Sequence, residues 1–199
     1  MRKVVEYRGY KIIASDLNGR PQAQIYRNKQ IVTQERFEAE TFDAVIQKAK
    51  SWIDRSVRKD AQNRRAPHIA TANKYAEYLR AGSLRDHERA MLLAHSKAQV
   101  LTATELAAAA GWECYSSTNF HYGTLGKSMN RALGLGTPVS DDGFEIWTMT
   151  LAGAADDDQT DPDVGHFRWM IHPELVEGML LAGVIEQEPE WLRQLRDER

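Results

Sequence analysis

The chain has 199 residues, of which 42% are hydrophobic and 27% charged, a balance typical of a globular protein that buries a core. A single cysteine, Cys114, excludes an internal disulfide framework, and no run of residues approaches the roughly 18 apolar positions of a membrane span. The first residues lack the apolar core of a secretory signal, so we expect a cytoplasmic protein without a membrane partner.

The formal net charge of −2 is unevenly distributed along the chain. Residues 1–66 contain 15 Lys and Arg against 8 Asp and Glu, a net of +7, whereas residues 67–199 contain 11 against 20, a net of −9. This segregation indicates either that the basic half faces a polyanion or that two oppositely charged domains attract each other.

The first 58 residues predict a βββα module. The strands and turns follow from apolar–polar alternation and from asparagine-containing pairs, and are expected at residues 4–15, 22–27 and 31–37, with turns at Asn18-Gly19 and Asn28-Lys29. Thr41 is expected to cap a helix that runs to about Arg58 with one apolar stripe. Such a module buries one face of its sheet and leaves the other in solvent.

The expected solvent face of this sheet carries polar side chains suited to DNA, namely Lys11, Arg20, Gln22, Gln24 and Tyr26. Glutamine pairs bidentately with adenine, and lysine or arginine pairs with guanine or phosphate. The alternative is a solvated sheet face or one that contacts protein.

Three pieces of this module, at residues 7–10, 22–26 and 41–44, resemble the plant ethylene-response-factor DNA-binding domains and the arm-binding domains of tyrosine recombinases. The resemblance is confined to the N-terminal module. It implies a three-stranded sheet that lies in the major groove of DNA.

Beyond the module we predict a basic linker at residues 59–68, a mainly helical, winged-helix-like domain at residues 69–185 and a charged tail at residues 186–199. The fold class is therefore α+β. Helices are expected at residues 70–81 and 84–96, and the second should bury its apolar residues Ala90, Met91, Leu93 and Ala94. We expect His87 and His95 at the surface or edge of the fold, about two helical turns apart and too distant to share a metal ion.

Residues 102–136 predict a helix, a tight turn and a second helix. Thr102 and Glu105 form a T-x-x-E capping box, Gly111 supplies a left-handed residue, and Ser116 or Ser117 caps the second helix. That helix should bury Tyr122, Leu125, Met129 and Leu133. Its other side is expected to meet DNA through polar residues, namely Ser117, Asn119, His121, Thr124, Lys127 and Arg131.

Gly123 and Gly126 lie inside this second helix, where each costs about 1 kcal/mol relative to alanine. Either a neighbouring backbone approaches closely there or the helix breaks.

After the second helix, residues 144–151 and 166–171 predict two strands joined by an acidic loop, the pattern of a wing. A short helix follows at residues 173–182, and Trp191 with Leu192 is expected to dock the tail. Residues 102–111, 119–126 and 167–175 also resemble an uncharacterised bacterial or phage family with a winged helix-turn-helix-like fold, which brings no activity with it.

Catalytic and metal-binding motifs are missing from the sequence. It contains no phosphate-cradling GxxxxGK[ST], no HExxH and no C-x-x-C pair. Counted from Asp156, the sixth and twelfth positions hold Asp161 and Phe167, where a calcium-binding EF-hand loop needs a glycine and a carboxylate. We interpret Cys114 as a buried structural thiol, and we expect no cofactor, no metal and no enzymatic activity.

Together these features favour a non-enzymatic, sequence-specific protein that binds double-stranded DNA, such as a bacterial or phage transcriptional regulator, and that forms a homodimer as such readers commonly do. The acidic C-terminal part supports an alternative. In that alternative the chain is a phage-type inhibitor that binds and blocks a host defence complex, a nuclease or CRISPR assembly, through protein–protein contacts.

Overall fold

The computed structural model describes residues 2–17, 19–27, 29–82, 84–155 and 167–198. The chain forms two compact units, Met1–Asn63 and Arg64–Arg199, each with its own hydrophobic core. Antiparallel strands and one helix make up the first unit, and the second is mainly helical, so the predicted α+β class is confirmed.

The described residues of the first unit form five strands and one helix: β1 (Arg2–Tyr7), β2 (Tyr10–Leu17), β3 (Arg20–Arg27), β4 (Gln30–Ile31), β5 (Phe37–Glu38) and α1 (Phe42–Gln62). The sheet order is β1-β2-β3-β4, all antiparallel, and β5 pairs farther along β3. Successive side chains of a strand point to opposite faces of the sheet. Ile12, Ala14, Ala23 and Ile25 therefore share one face and are buried on the side where α1 packs.

Helix α1 begins as predicted, because the Ala44 amide donates a hydrogen bond of 3.2 Å to Thr41 Oγ1. It ends later than predicted. Residues 59–62, expected in the linker, are helical, since the lysine, aspartate, alanine and glutamine there continue a helix without a breaker.

Two predicted strands of this sheet are wrong in extent. The single strand expected at residues 4–15 is two antiparallel strands, β1 and β2, because the chain turns at Arg8 and Gly9 with positive φ. The predicted strand at residues 31–37 is interrupted. Tyr26 of β3 pairs with Ile31, whereas Ala23 pairs with Phe37, so six positions on one side span three on the other. The extra residues bulge out of the ladder. This shift brings Phe37 into the core, where its ring meets the Trp52 ring edge-on at 6.3 Å.

The second unit contains the following described elements: α2 (Ala72–Ala81), α3 (Asp86–Ala98), β6 (Val100–Thr102), α4 (Ala103–Ala109), α5 (Tyr115–Leu133), a 3₁₀ turn (Trp147–Thr150), β7 (Ala152–Ala154), β8 (Arg168–Ile171), α6 (Pro173–Leu181) and α7 (Glu190–Asp197). β6, β8 and β7 form an antiparallel sheet with β8 in the middle. A helix, a strand, two helices and two paired strands therefore follow one another in the order of a winged helix.

The helix–turn–helix prediction is confirmed in its main features. The Glu105 amide donates to Thr102 Oγ1 at 3.2 Å, and the Thr102 amide donates to Glu105 Oε2 at 2.7 Å. Gly111 has a φ of +74° and ends α4. Helix α5 is continuous and buries the four apolar residues expected of it. It begins earlier than predicted, because Cys114 rather than Ser116 or Ser117 takes the extended N-cap conformation.

Other parts of the second unit differ from the prediction. Residues 147–150 form a 3₁₀ turn against α5 instead of a strand, and the strand on this side is only Ala152–Ala154. In α3 the buried side chains include Leu92 and His95, whereas Leu93 is exposed. Helix α3 starts at Asp86, its Arg85 amide bonded to Glu88 Oε2 at 2.9 Å. The acidic segment at residues 156–166 and the predicted turn residues Asn18 and Asn28 lie outside the described residues.

The C-terminal residues form the docked helix α7. Leu192 is buried, and Trp191 Nε1 donates to the Ser96 carbonyl at 2.7 Å, which confirms that these two residues anchor the tail. Across the described part of the chain, no helix combines the length and the apolar character needed to cross a membrane.

Candidate nucleic-acid interface

The outer face of the first sheet brings four predicted site residues together. Lys11 of β2 lies opposite Tyr26 of β3, and Gln22 and Gln24 follow at alternate positions on the same side of β3. Lys11 and Gln24 are exposed. Arg20 is also exposed, at the first position of β3. The core and α1 lie on the opposite side of this sheet.

The two glutamines on this face are held differently. Tyr26 donates its hydroxyl hydrogen to Gln24 Oε1 at 2.7 Å, which orients the Gln24 side chain and leaves its NH₂ group available. Gln22 Nε2 instead donates to Glu38 Oε1 at 2.7 Å. The Gln24 amide can therefore both donate to and accept from a base. The Gln22 amide must first break its hydrogen bond to the Glu38 carboxylate before it can pair with a base.

A shallow hollow of about 340 Å³ opens beside Lys11 and Tyr26, lined also by Arg27 and Lys29. Glu6, which lies opposite Lys11 in the register, is the acidic residue of this lining. The Arg27 guanidinium lies 5.0 Å from the centre of the Tyr10 ring and donates to its hydroxyl at 3.3 Å. Three basic side chains around one hollow favour an anionic group such as a phosphate.

Helix α5 presents an exposed stripe at helical spacing that includes Ser116, Phe120, Thr124 and Arg131. Phe120 is 69% exposed, so the middle of this stripe is aromatic. The Thr124 hydroxyl donates to the Phe120 carbonyl one turn earlier, at 2.7 Å. The sequence predicts polar residues on this stripe and does not single out Phe120, although the helical period places Phe120 there.

The remaining predicted residues of α5 fall on its flanks. Asn119 is exposed and lies beside β7 and β8, whereas Ser117 is half-buried. The His121 ring packs 4.8 Å from Trp112 and 4.7 Å from His87, and its Nδ1 is buried without a hydrogen bond to any described residue. The structure therefore separates Asn119 from His121, and it turns His121 towards the protein.

Lys127 and Arg131 share one aromatic partner that the sequence did not reveal. The Lys127 Nζ atom lies 5.0 Å from the centre of the Trp147 ring, and the Arg131 guanidinium lies 5.6 Å from it. Such cation–π contacts fix the direction of both side chains while leaving their charge intact. Arg131 remains exposed.

A buried network fixes α5 against β8. The Tyr122 and Trp169 rings stack with centroids 5.3 Å apart. His95 Nε2 donates to the Trp169 carbonyl at 2.9 Å, so its Nδ1 accepts from the Tyr122 hydroxyl at 2.7 Å. Burial lowers the pKa of His95 to about 4, and the ring is neutral at pH 7. The prediction that His95 lies at the surface is wrong, because both ring nitrogens find partners inside the fold.

A second histidine network joins the start of this unit to α6. His172 Nε2 donates to the Met149 carbonyl at 2.9 Å, and Arg65 donates to His172 Nδ1 at 3.3 Å and to Glu174 Oε1 at 2.8 Å. Burial is the main reason that the pKa of His172 falls to about 4. Both ring nitrogens of His172 have hydrogen-bond partners, so this cluster joins elements rather than offering a reactive group.

Cys114 is exposed rather than buried, so the interpretation of a buried structural thiol is wrong. Its Sγ lies 2.9 Å from Ser116 Oγ, since the turn before α5 leaves both side chains at the surface. Hydrogen bonds from Ser116 lower the pKa of the thiol. No group of three or more His, Cys, Asp or Glu in the described ranges is arranged to hold a metal ion.

A scan against protein-family models found no match, and neither did searches of the curated proteins and of the solved structures.

Proposed function

We propose that this protein is a non-enzymatic, sequence-specific protein that binds double-stranded DNA, acting as a bacterial or phage transcriptional regulator. The observation that carries the proposal is the outer sheet face of the first unit, where Lys11, Gln22, Gln24 and Tyr26 lie on neighbouring strands in register. A two- or three-stranded antiparallel ribbon fits the major groove, where such side chains read base edges.

The charge of the first unit supports the same proposal. Residues 1–63 contain 13 Lys and Arg and 8 Asp and Glu, a net of +5. Gln24, oriented by Tyr26, suits a bidentate pair with adenine. Lys11, Arg20 and Lys29 suit phosphates, which set the register of the protein on the duplex.

In the second unit, the exposed stripe of α5 would add contacts to the backbone of DNA. Arg131 and Lys127, directed by Trp147, supply the positive charge, and Thr124 supplies a short polar group. His121 takes no part unless its ring leaves Trp112 and His87.

The first experiment is a mobility-shift titration of the full chain on random duplex DNA at about 50 and 200 mM salt. We expect the affinity to fall at least tenfold across that range, because phosphate contacts release counterions. An affinity that does not change with salt would refute electrostatic binding to DNA.

The second experiment tests the sheet face on a duplex selected by the wild type from a random library. Gln24→Ala should lose roughly 1–3 kcal/mol of discrimination against substitutions at one base pair. Lys11→Ala should weaken binding to all duplexes by a similar factor, because it removes a phosphate contact. Gln47→Ala, on the exposed side of α1, is the matched control. Unchanged discrimination in Gln24→Ala would remove the sheet face from the interface.

A second candidate function rests on Phe120. Residues 64–199 contain 13 Lys and Arg and 20 Asp and Glu, a net of −7, and an aromatic side chain dominates the exposed stripe of α5. Exposed aromatic anchors are typical of protein interfaces, and DNA readers usually carry a basic footprint. These features favour a phage-type inhibitor of a host defence complex. Its acidic surface would bind the DNA-binding groove of that complex, which is basic.

This candidate predicts that the chain inhibits DNA cleavage by a purified defence nuclease or surveillance complex, with no mobility shift of DNA alone. Phe120→Ser should weaken inhibition at least tenfold. Phe144→Ser is the control, because Phe144 is equally exposed but lies outside α5. Equal inhibition by both variants would exclude α5 as the contact.

We also propose a homodimer, since two-fold readers bind paired half-sites. Light scattering coupled to size-exclusion chromatography measures this directly, and a monomer at micromolar concentration would contradict it.

A further inference from the structure

A cavity of about 580 Å³ lies beside the first turns of α5, in the volume range of small-molecule sites. Three of its lining residues, Ala103, Ala152 and Trp169, are buried. Because two of these are alanines, their small side chains leave space that larger side chains would fill.

The floor of this cavity is held rigidly. The Trp169 ring stacks on Tyr122 with an angle of 10° between the planes. His95 bonds to the Tyr122 hydroxyl and to the Trp169 carbonyl, so the ring and its strand are fixed by the same buried histidine. A site whose walls are already ordered loses little conformational entropy when it binds a ligand.

The walls are aromatic and remain open to solvent. Phe167 is 38% exposed with its ring 6.3 Å from Trp169, and Tyr115, which also lines the cavity, is 48% exposed. Aromatic side chains around an apolar cavity favour a planar ring as occupant, through offset or edge-to-face packing.

Two polar groups face this apolar surface. The Asn119 amide and the Thr148 hydroxyl line the cavity, and neither makes a side-chain hydrogen bond to any residue that the structure describes. No Lys, Arg, His, Asp or Glu is among the described lining residues. Because a charged ligand would lose its hydration here without gaining a counter-charge, the chemistry favours an uncharged molecule with a hydrogen-bonding group.

We propose that the second unit binds an uncharged, ring-bearing small molecule in this cavity, with its ring between Phe167, Tyr115 and Trp169 and its polar group on Asn119. The site is independent of the proposed DNA contacts of the first unit. It assigns Asn119, which sequence reasoning placed at DNA, to a ligand.

The test uses the full chain and the fluorescent probe N-phenyl-1-naphthylamine, an uncharged fused-ring amine. We expect saturable binding of one probe per chain. Asn119→Trp, which fills the mouth of the cavity, should raise the Kd at least tenfold. Thr124→Trp, exposed on the same helix but outside the cavity, should change it less than twofold. Thermal unfolding of both variants checks that the fold is retained.

A second arm tests the charge of the ligand. 8-Anilino-1-naphthalenesulfonate has the same ring system with an added sulfonate, and it should bind at least tenfold more weakly. Probe binding should also shift the methyl NMR signal of Met149, which lines the cavity, and leave that of the buried Met91 unchanged. The absence of saturable binding, equal loss in both tryptophan variants, or tighter binding of the sulfonate would overturn the proposal.

Discussion

The two glycines inside α5 have opposite surroundings. A Cβ atom at Gly126 would lie 2.9 Å from the carbonyl carbon of Trp147, whereas a Cβ at Gly123 would have nothing within 4 Å. Gly126 therefore permits the backbone of the 3₁₀ turn to pack directly on the helix, and Gly123 only costs helix propensity.

We accordingly predict that Gly126→Ala lowers the free energy of unfolding by about 3 kcal/mol, because the backbone of the turn must move. Gly123→Ala should raise the free energy of unfolding by about 0.5–1 kcal/mol. Urea denaturation with unchanged m-values measures both. Equal effects of the two substitutions would contradict the close approach at Gly126.

The thiol of Cys114 gives a second prediction for a single residue. Ser116 lowers its pKa through side-chain and backbone hydrogen bonds, and the thiol is exposed. Ser116→Ala should therefore raise the pKa and slow alkylation by iodoacetamide at pH 7.5 severalfold, since the thiolate is the nucleophile. Ser117→Ala keeps the backbone amide that faces the thiol and is the control. An unchanged pH–rate profile in Ser116→Ala would exclude this hydrogen bond.

At the level of elements, α4 depends on its capping box. The Thr102 hydroxyl accepts from the Glu105 amide and also donates to the Glu105 carboxylate at 2.9 Å, so the two side chains act together. We predict that Thr102→Ala and Glu105→Ala each lower the free energy of unfolding by about 1 kcal/mol. The double variant should lose less free energy of unfolding than the two single variants combined, because either substitution alone breaks the hydrogen bonds between Thr102 and Glu105. Strict additivity in a urea double-mutant cycle would contradict the box.

Elements that follow from a short-range sequence pattern could be predicted, and elements that depend on tertiary contacts could not. The capping box, the buried stripe of α5 and the alternation in β2 and β3 follow from nearest-neighbour spacing, and the structure has all three. Residues 144–151 alternate like a strand, but Trp147 to Thr150 form a 3₁₀ turn whose first carbonyl rests on Gly126. That contact comes from tertiary packing, which no local period encodes.

The same limit applies to the candidate site. The sheet face could be predicted, because strand alternation alone places Lys11, Gln22, Gln24 and Tyr26 on one side. The cavity beside Asn119 could not, since its lining comes from five stretches of chain between Ala103 and Trp169. Nor could the burial of His95, because its partners Tyr122 and Trp169 lie far from it in sequence.

For the whole molecule, two buried histidines link the stability of the second unit to pH. Burial lowers the pKa of His95 and of His172 to about 4, although a hydrogen bond to a carbonyl opposes the shift in each case. In the unfolded chain both rings bind a proton near pH 6.5. Protonation therefore favours the unfolded state between these values. The stabilisation is fully present above about pH 6.5 and is lost as the pH falls towards 4.

We predict that the free energy of unfolding of the second unit falls by roughly 1 kcal/mol per histidine for each pH unit between about pH 6.5 and 5. This window lies above the range in which Glu88 and Glu174 titrate, because the pKa of each is lowered in the folded protein. A Trp52→Phe background restricts the tryptophan signal to the second unit, where the other four tryptophans lie. His95→Gln can keep a donor and an acceptor without titrating, so it should remove the contribution of His95, roughly 1 kcal/mol per pH unit. A flat profile from pH 7 to 5 in the parent would show that these rings are not held neutral by burial.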